Sequence, residues 1–405
     1  MQTVQTNWEK LEPTDLDSVI VRYGGELGIK GAWTRNAYER RLLKNIKTAL
    51  KHYAISYRKI IRKYGRLFLK TSLTTESSTK LARVFGISSL SPALETTSKL
   101  EDIIDKTVFL AGLTLRQKTS FAVRCRRVGN HPYSSTDVCK EVGSHVLNAF
   151  PKRRLKVNLK NPDATLGVEV RDDQAFVYPV RVRGAGGLPL GTQPKVVGLL
   201  SGGVDSSVAC WLVMKRGCPV VPLYFDNTPY TDEATTERAI NVAAALFDWS
   251  IGFPRRVYTV SHGPNLAEFK EQRRFERLTC IICKRMMYRI AEKVADIIRA
   301  EGIATGEAIG EQASQTLRNL RLLNSAATKY PIHRPLLGFD KSETERIARR
   351  IGTYKASIQR AKGCAAVPRK PVTMAKPHDV AEAEEALDIG KMVERSIKTL
   401  QIVKL

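Results

Sequence analysis

A glycine–serine turn and a CxxC pair are the first places in this chain where residue type and spacing suggest chemistry. In "VVGLLSGGVDSSVACWLVMKRG" (residues 196–217) an apolar run ends at Ser201-Gly202-Gly203, and Asp205-Ser206-Ser207 open a second apolar pattern. The order reads as strand, tight turn and helix, and such a turn offers unpaired backbone N–H groups to an anion. Gly202 and Gly203 let the backbone approach that anion, and the hydroxyls of Ser201, Ser206 and Ser207 add donors. No Gly-Lys-Ser/Thr follows, so this is not a loop whose lysine reaches the β and γ phosphates. It suits loss of pyrophosphate and transfer at the α-phosphate, with Asp205 holding Mg²⁺ rather than acting as a base. The bland alternative is a ligand-free turn. The second feature is Cys280-x-x-Cys283 in "LTCIICKRMM", with Cys364 in "AKGCAAVPRKP". Alone, CxxC more often means zinc or redox chemistry, and zinc would need a fourth ligand, for which His333 and His378 are available.

The elements that would position these residues fall into three expected domains: residues 1–76, 77–186 and 187–405. The first reads as β-α-β-β: a strand at 19–23, a basic helix at 35–52, and a hairpin turning near Tyr64-Gly65, the pattern of ferredoxin-like modules. A helix near 78–85 leads to "GISSLSPAL", read as a polar loop. The second module has helices near 100–113 and at "STDVCKEVGSHVLNAF", a strand "SFAVRCRRV", and strand-like runs turning at Asn161-Pro162 and Asp172-Asp173. "RGAGGLPLGTQP" (183–194) reads as the linker. Beyond it, strands at 196–200, 219–225, 256–260 and 302–305 alternate with helices near 206–216, 232–246, 284–300 and 342–352. That alternation predicts a doubly wound α/β domain with a parallel sheet and helices on both faces, ending in a short helical tail. Cys125, Cys139, Cys210 and Cys218 are expected to be structural.

Charge points to a polyanion. The 405 residues carry 66 Lys and Arg against 40 Asp and Glu, a formal +26. Residues 1–190 hold 33 basic and 17 acidic residues, and 191–405 hold 33 and 23, so the excess is spread over the body. Nucleic acid is favoured over a membrane, with a solvated basic surface as the alternative. Arg124 and Arg126 share one face of an expected strand and Arg127 the other; Arg181 and Arg183 repeat the device, and Lys152, Arg153, Arg154 and Lys156 cluster. These suit phosphate contacts to a folded RNA, though any single one could be a solvated residue. No run reaches the length of a membrane span, and the polar N-terminus lacks a leader's apolar core, so a cytoplasmic protein is expected. Seven cysteines there are not a disulfide framework.

"LLSGGVDSS" resembles the PP-loop of ATP pyrophosphatases. The ordered set "RYGGELGIKG", "VFGISSLSP", "NPDATLGVEVR", "GAGGLPLGTQ", "KRMMYRIAEKVA", "TGEAIGEQASQT" and "RPLLGFDKSE" narrows this over nearly the whole chain. Together they resemble the tRNA 4-thiouridine synthetases: ferredoxin-like domain, THUMP domain, PP-loop domain. The resemblance implies ATP-dependent adenylation of O4 of uridine 8 in tRNA and its replacement by sulfur. It implies ATP contacts at Leu199, Leu200, Ser201, Gly202, Gly203, Ser206, Tyr224, Phe225, Lys284, Gly306 and Gln315. Lys284 also makes physical sense beside a leaving pyrophosphate, as does Lys341, although each could be an ordinary helix-start lysine. Asp205, Lys341 and Cys364 are the expected catalytic residues, and the matching cysteine of the family carries or accepts sulfur.

Bacterial relatives with a C-terminal rhodanese domain receive a persulfide from it. Here the chain reaches Leu405 with no room for that domain and adds the CxxC instead, as in relatives resembling those of archaea. In those, three cysteines, matching Cys280, Cys283 and Cys364, hold an iron–sulfur cluster, 4Fe–4S or 3Fe–4S, whose open iron can take hydrosulfide. A mononuclear zinc site and metal-free persulfide exchange stay open beside it. Sulfide or a cysteine-desulfurase-type donor is the expected sulfur source, a homodimer is an expected state, and a role in thiamine thiazole synthesis is a further family function. Two rival readings are a PP-loop enzyme in which an amine displaces AMP, and a non-catalytic RNA-binding protein.

Overall fold

The computed structural model describes residues 15–63 and 65–405; the polar N-terminal stretch 1–14 and Tyr64 of the expected hairpin turn lie outside the described residues. The chain forms two compact units, Met1–Pro189 and Leu190–Leu405.

The N-terminal unit runs β1 (Ser18–Tyr23), α1 (Gly25–Gly28), α2 (Ala32–His52), β2 (Lys59–Lys63), β3 (Arg66–Lys70), α3 (Thr74–Leu81) and β4 (Ile87–Thr97). It continues through α4 (Leu100–Thr114), β5 (Ser120–Val128), α5 (Ser135–Ala149), β6 (Lys156–Val157), β7 (Ala164–Arg171), β8 (Gln174–Tyr178) and β9 (Val182–Arg183). The strands build one sheet in the order β2-β3-β1-β4-β8-β7-β5-β6, with β9 also on β4. α5 starts at a capping box in which Ser134 and Asp137 each accept the other's backbone N–H. Its Val138, Val142 and Val146 bury against Ile103 and Leu110 of α4 and against Phe121, Leu166, Val168 and Val170 of the sheet.

β4 corrects an expectation. The serines and proline of "GISSLSPAL" predict a polar loop, since proline argues against a central strand. It is instead the longest strand of the unit, and its first half pairs β1 while Leu94–Thr97 pair β8. Each serine has a partner that makes its burial tolerable. Ser88 donates to the Arg22 carbonyl at 2.9 Å, Ser89 accepts from Arg181 Nε at 2.8 Å, and Ser91 accepts from Arg22 Nη1 at 2.9 Å. The two modules expected as separate domains therefore share one sheet through this strand.

The C-terminal unit runs β10 (Val196–Leu199), α6 (Val204–Lys215), β11 (Val220–Asp226), α7 (Glu233–Phe247), β12 (Arg256–Ser261), α8 (Gly263–Glu271), α9 (Thr279–Ile298) and β13 (Ile303–Ala304). Then follow α10 (Leu317–Asn324), β14 (Ile332–His333), α11 (Lys341–Ile351), α12 (Tyr354–Ser357), α13 (Pro377–Glu385), α14 (Ile389–Lys398) and β15 (Gln401–Lys404). The sheet order is β14-β13-β10-β11-β12-β15, parallel except for β15. The expected helical tail thus ends in an antiparallel edge strand on β12. Its sequence, "QIVK", is too short for periodicity to separate helix from strand.

The parallel sheet is covered on both faces, and β10 shows why. Val197 packs into a core with Ile290 and Val294 of α9. Its neighbour Gly198 points the other way, where an added Cβ would sit 2.7 Å from Cys210 Sγ of α6. From β10 the chain goes to β11 on one side, while β13 lies on the other. The carboxyl end of β10 is therefore the switch point of the sheet, where open α/β domains place ligands.

Candidate active site

The glycine–serine turn occupies that switch point. Gly202 has φ +75, a left-handed conformation, and its Cα lies so near α7 that a Cβ would meet the Ala239 N at 2.9 Å. Gly203 is the N-cap of α6, in extended conformation. Ser206 Oγ folds back to accept from the Ser201 N–H and donate to the Gly203 carbonyl, both at 3.2 Å, which fixes the loop's shape. From the other side Gly306, just after β13, presses on the first turn of α6; a Cβ there would lie 2.5 Å from the Ser206 N. Leu199, Leu200, Ser201, Gly203, Tyr224 and Phe225 line one cavity of about 450 Å³. Tyr224 is fixed by a hydroxyl hydrogen bond with Thr236 at 3.1 Å.

The cationic residues belong to two adjoining carboxylate clusters. Lys341, the first residue of α11, places Nζ 2.7 and 2.8 Å from the two oxygens of Asp205 and 3.5 Å from Glu311. Although burial works against its charge, the bond to Asp205 and the nearby acids raise the Lys341 ammonium above its ordinary range. Lys284 donates to Glu307 Oε1 at 3.1 Å, and Glu307 also accepts from Tyr288 at 2.5 Å and Arg334 Nε at 2.7 Å. Burial opposes ionisation of Glu307, but Lys284 and Arg334 outweigh it and hold the carboxyl below the usual carboxylate range. Lys284 is consequently not a free surface lysine. Gln315 is buried two elements away, its side-chain oxygen 3.4 Å from the Ala308 N–H, and it steadies the same loop. Sequence reasoning gave no role to Glu307, Glu311 or Arg334, although all three stand inside quoted motifs. A carboxylate between cationic neighbours in sequence-distant segments was the missed signal.

α9 begins at Thr279 and not near 284, so Cys280 and Cys283 are its second and fifth residues, neighbours on one side of its N-terminal end. Cys364 packs against the same apolar core as Cys283 and also lines the cavity beside Leu199–Gly203. The three sulfurs influence one another. Burial raises the Cys280 thiol against the opposing pull of Lys284, with Cys364 adding a little, and burial followed by the neighbouring Cys280 and Cys364 raises Cys283. Among the described residues no three His, Cys, Asp or Glu side chains are gathered tightly enough to hold one metal ion. A tetrahedral zinc would keep its thiolates roughly 3.8 Å apart, so that arrangement is not prebuilt here. His378, the other candidate beside His333, is exposed and pairs with Glu382 at 3.5 Å. The cysteine donors do suit a cluster, whose separate iron corners take thiolates that stand farther apart. The sequence also hid His262. It is fully buried, its Nε2 lies 3.3 Å from Cys283 Sγ, and burial pulls its pKa down to about 3, keeping it neutral.

Two more residues missed in the sequence line the cavity, Asn227 and Arg238. Asn227 Oδ1 and Arg238 Nε are buried without a partner, an unused acceptor and donor beside the glycine–serine turn.

In the N-terminal unit the expected RNA arginines divide. Arg124, Arg126, Arg154 and Arg183 are exposed, Arg124 reaching the Leu159 carbonyl and Arg183 standing on β9. Arg181 is exposed too, with its Nε on Ser89. Arg153 stands apart. Its Nη1 donates to the carbonyls of Ala111, Gly112 and Leu115 at 3.3, 2.9 and 2.7 Å, and the guanidinium covers Phe150 at 4.4 Å. It closes the carboxyl end of α4, a role that its neighbours in "PKRRLK" could not announce.

Comparison with known proteins agrees with this geometry. Residues 191–389 match the family described as thiamine biosynthesis protein (ThiI), 97–180 the THUMP domain, and 18–91 the ThiI ferredoxin-like domain. A probable tRNA sulfurtransferase of Methanosarcina acetivorans is 43% identical over 389 residues, covering 96% of this chain and 93% of that one. A namesake from Methanothermobacter thermautotrophicus is 40% identical over 94% of this chain and 96% of its own. Among solved structures, a 4-thiouridine synthetase in complex with RNA and bound ATP superposes with a TM-score of 0.83 at 32% identity, covering 96% of this chain and 99% of that one. With relatives this similar along nearly its whole length, the chain belongs to the tRNA sulfurtransferase (ThiI) family.

Proposed function

We propose that this protein replaces O4 of uridine 8 in tRNA by sulfur, in two steps driven by ATP. The observation that carries the reading is the shared cavity: the nucleotide loop and Cys364 open into one space, so an activated base would meet the sulfur without leaving it. ATP places its phosphates at the N-terminus of α6, where backbone N–H groups and the Ser201 hydroxyl face them. O4 of the uracil attacks the α-phosphate and pyrophosphate leaves. A nucleophilic sulfur then attacks C4, and the C4–O4 bond breaks to release AMP, a far better leaving group than a bare uracil oxygen.

Lys284 and Lys341 offset the charge that develops on the departing pyrophosphate. Mg²⁺ would be held by the Asp205 carboxylate, where it would supply charge neutralisation at the phosphates. Lys341, half exposed and now on that carboxylate, is free to turn toward the phosphates. An iron–sulfur cluster, held by Cys280, Cys283 and Cys364, would supply a place to carry sulfur taken from sulfide or a cysteine-desulfurase-type donor. Exposed arginines of the N-terminal unit, Arg124 and Arg126 first among them, bind the tRNA backbone. No helix among the described residues is long and apolar enough to cross a membrane, and a cytoplasmic enzyme acting as a homodimer completes the reading.

The test separates the two steps. With Cys364→Ala, tRNA and ATP, pyrophosphate release should persist and adenylated tRNA should accumulate, while 4-thiouridine is absent from digested tRNA. Wild-type thiolation by that variant would remove Cys364 from the chemistry, and tRNA-independent pyrophosphate release would remove the adenylation step.

A further inference from the structure

A chain of hydrogen bonds that starts at the half-exposed Arg395 and runs inward ends at the sulfur of Cys283. Arg395 Nη2 donates to Asn265 Oδ1 at 2.6 Å, and a guanidinium has no acceptor, so that atom of Asn265 is the oxygen. Asn265 Nδ2 therefore faces the other way, 3.1 Å from His262 Nδ1 and 2.9 Å from Ser396 Oγ. Because Nδ2 is a donor, His262 Nδ1 must accept, and the imidazole proton stands on Nε2. That N–H points at Cys283 Sγ, 3.3 Å away. The ring has no freedom to escape this arrangement. His262 is wedged edge-on between Phe225 and Phe269, with centroids 5.7 and 6.2 Å away, and its backbone N–H is held by the Asp226 carbonyl at 2.7 Å. Asn265 and Ser396 are as buried as the histidine, and Arg395 is anchored on its outer side by Glu268 at 2.5 Å.

We propose that His262 is a positioning residue of the sulfur site, held by Asn265 and Arg395 in the Nε2–H form so that it donates a hydrogen bond to the Cys283 sulfur. This rests on reading Cys280, Cys283 and Cys364 as one sulfur site. A sulfur that accepts such a bond donates less electron density to a bound iron and is a poorer nucleophile, so Cys283 acts as a fixed anchor. Cys364, which lines the substrate cavity, is left as the cysteine nearest the reacting base. The relay also explains why three buried polar residues, His262, Asn265 and Ser396, meet where the start of α8 packs on α14.

The experiment uses the full-length protein and three variants: Asn265→Asp, His262→Leu and His262→Gln. Nitrogen-15 NMR of labelled histidines reports the tautomer with or without iron. Wild-type His262 should carry its proton on Nε2, and Asn265→Asp, equal in volume, should move it to Nδ1. In the iron-loaded protein, His262→Leu and Asn265→Asp should lower the midpoint potential and weaken iron retention against a chelator by roughly 10- to 100-fold. His262→Gln, which keeps an N–H donor, should recover part of both. An Nδ1–H tautomer in the wild type, or unchanged potential and iron retention in His262→Leu, would overturn the proposal. Absence of iron from active wild-type enzyme would instead overturn the cluster reading, and the tautomer measurement would still decide the relay.

Discussion

Glu169 in the N-terminal unit and Glu307 in the C-terminal unit are both buried carboxylates, but their partners differ in kind. Glu169 is enclosed by three guanidiniums: Arg22 at 2.8 Å, Arg66 at 3.2 Å, and Arg171. Arg22 is itself fixed on Ser91 of β4 and over the Tyr178 ring, so the cluster ties β1, β3, β4, β7 and β8 together. Glu307 is held by one arginine, one tyrosine and Lys284, and Lys284 is partly exposed beside the cysteine turn. A planar, permanently charged guanidinium suits a fixed joint, while a compact ammonium on a flexible stem can be lent to a passing phosphate. The first cluster holds a sheet together; the second, on the proposed reading, holds a cation within reach of the phosphates. The same distinction separates Arg153, locked on α4, from Arg124 and Arg126, which face solvent.

The strongest way to break this contrast starts at the nucleotide loop. Asp205→Ala should reduce thiolation by about 10³-fold or more, since it removes the metal and phosphate side of the site. Its tRNA affinity, measured by filter binding, should stay near wild type. Equal losses of both would mean that the C-terminal unit also provides the main grip on RNA.

Next in size is Glu169→Ala. It leaves three guanidiniums uncompensated in a buried site and should destabilise the N-terminal unit by about 3–5 kcal/mol in denaturant unfolding. Glu307→Gln should do the reverse, lowering thiolation by roughly 10- to 100-fold with a smaller stability loss, because Lys284 loses its tether. If Glu307→Gln proved as destabilising and catalytically silent, both clusters would be structural.

Acid probes the first cluster without mutation. Burial alone would raise the Glu169 carboxyl, but Arg22 and Arg171 lower it from 4.5 to about 2. A depressed acid stabilises the fold above its unfolded value, and that contribution is lost as pH falls from about 4.5 toward 2. About 3 kcal/mol is at stake, so the wild-type unfolding midpoint should drop over that window and the Glu169→Ala midpoint should be flatter.

Smaller still is the effect of replacing Arg124 and Arg126 together by glutamine. Affinity for tRNA should fall roughly tenfold, and the dependence on log salt should weaken by about two phosphate contacts, with ATP turnover unchanged. Arg153→Gln should leave the salt slope alone and cost about 1–2 kcal/mol of stability through the uncapped end of α4. A reduced salt slope for Arg153→Gln would put that residue back on the RNA face.

What the sequence determined by itself was local. "LLSGGVDSS" encodes a strand end, a glycine turn and a helix start within nine residues, so its local shape needed no distant partner. The alternation of strands and helices after residue 196 was legible for the same reason, since period and turn chemistry act over short windows. Helix starts were less so: α9 begins five residues before its most regular stretch, and the shift is what puts the cysteine pair inside the helix, on one side of it. β4 was lost because its serines look solvent-facing until Arg22 and Arg181 arrive from elsewhere in the chain. Tertiary structure alone decided which charges meet. Lys341 reaches Asp205 across 136 residues, and Arg22 reaches Glu169 across 147. It also brought His262 to Cys283, a contact between two residues that carry no joint signal in the sequence. Backbone preference acts between neighbours, whereas a buried polar group is stabilised by whichever partner the folded chain delivers, and only the fold names that partner.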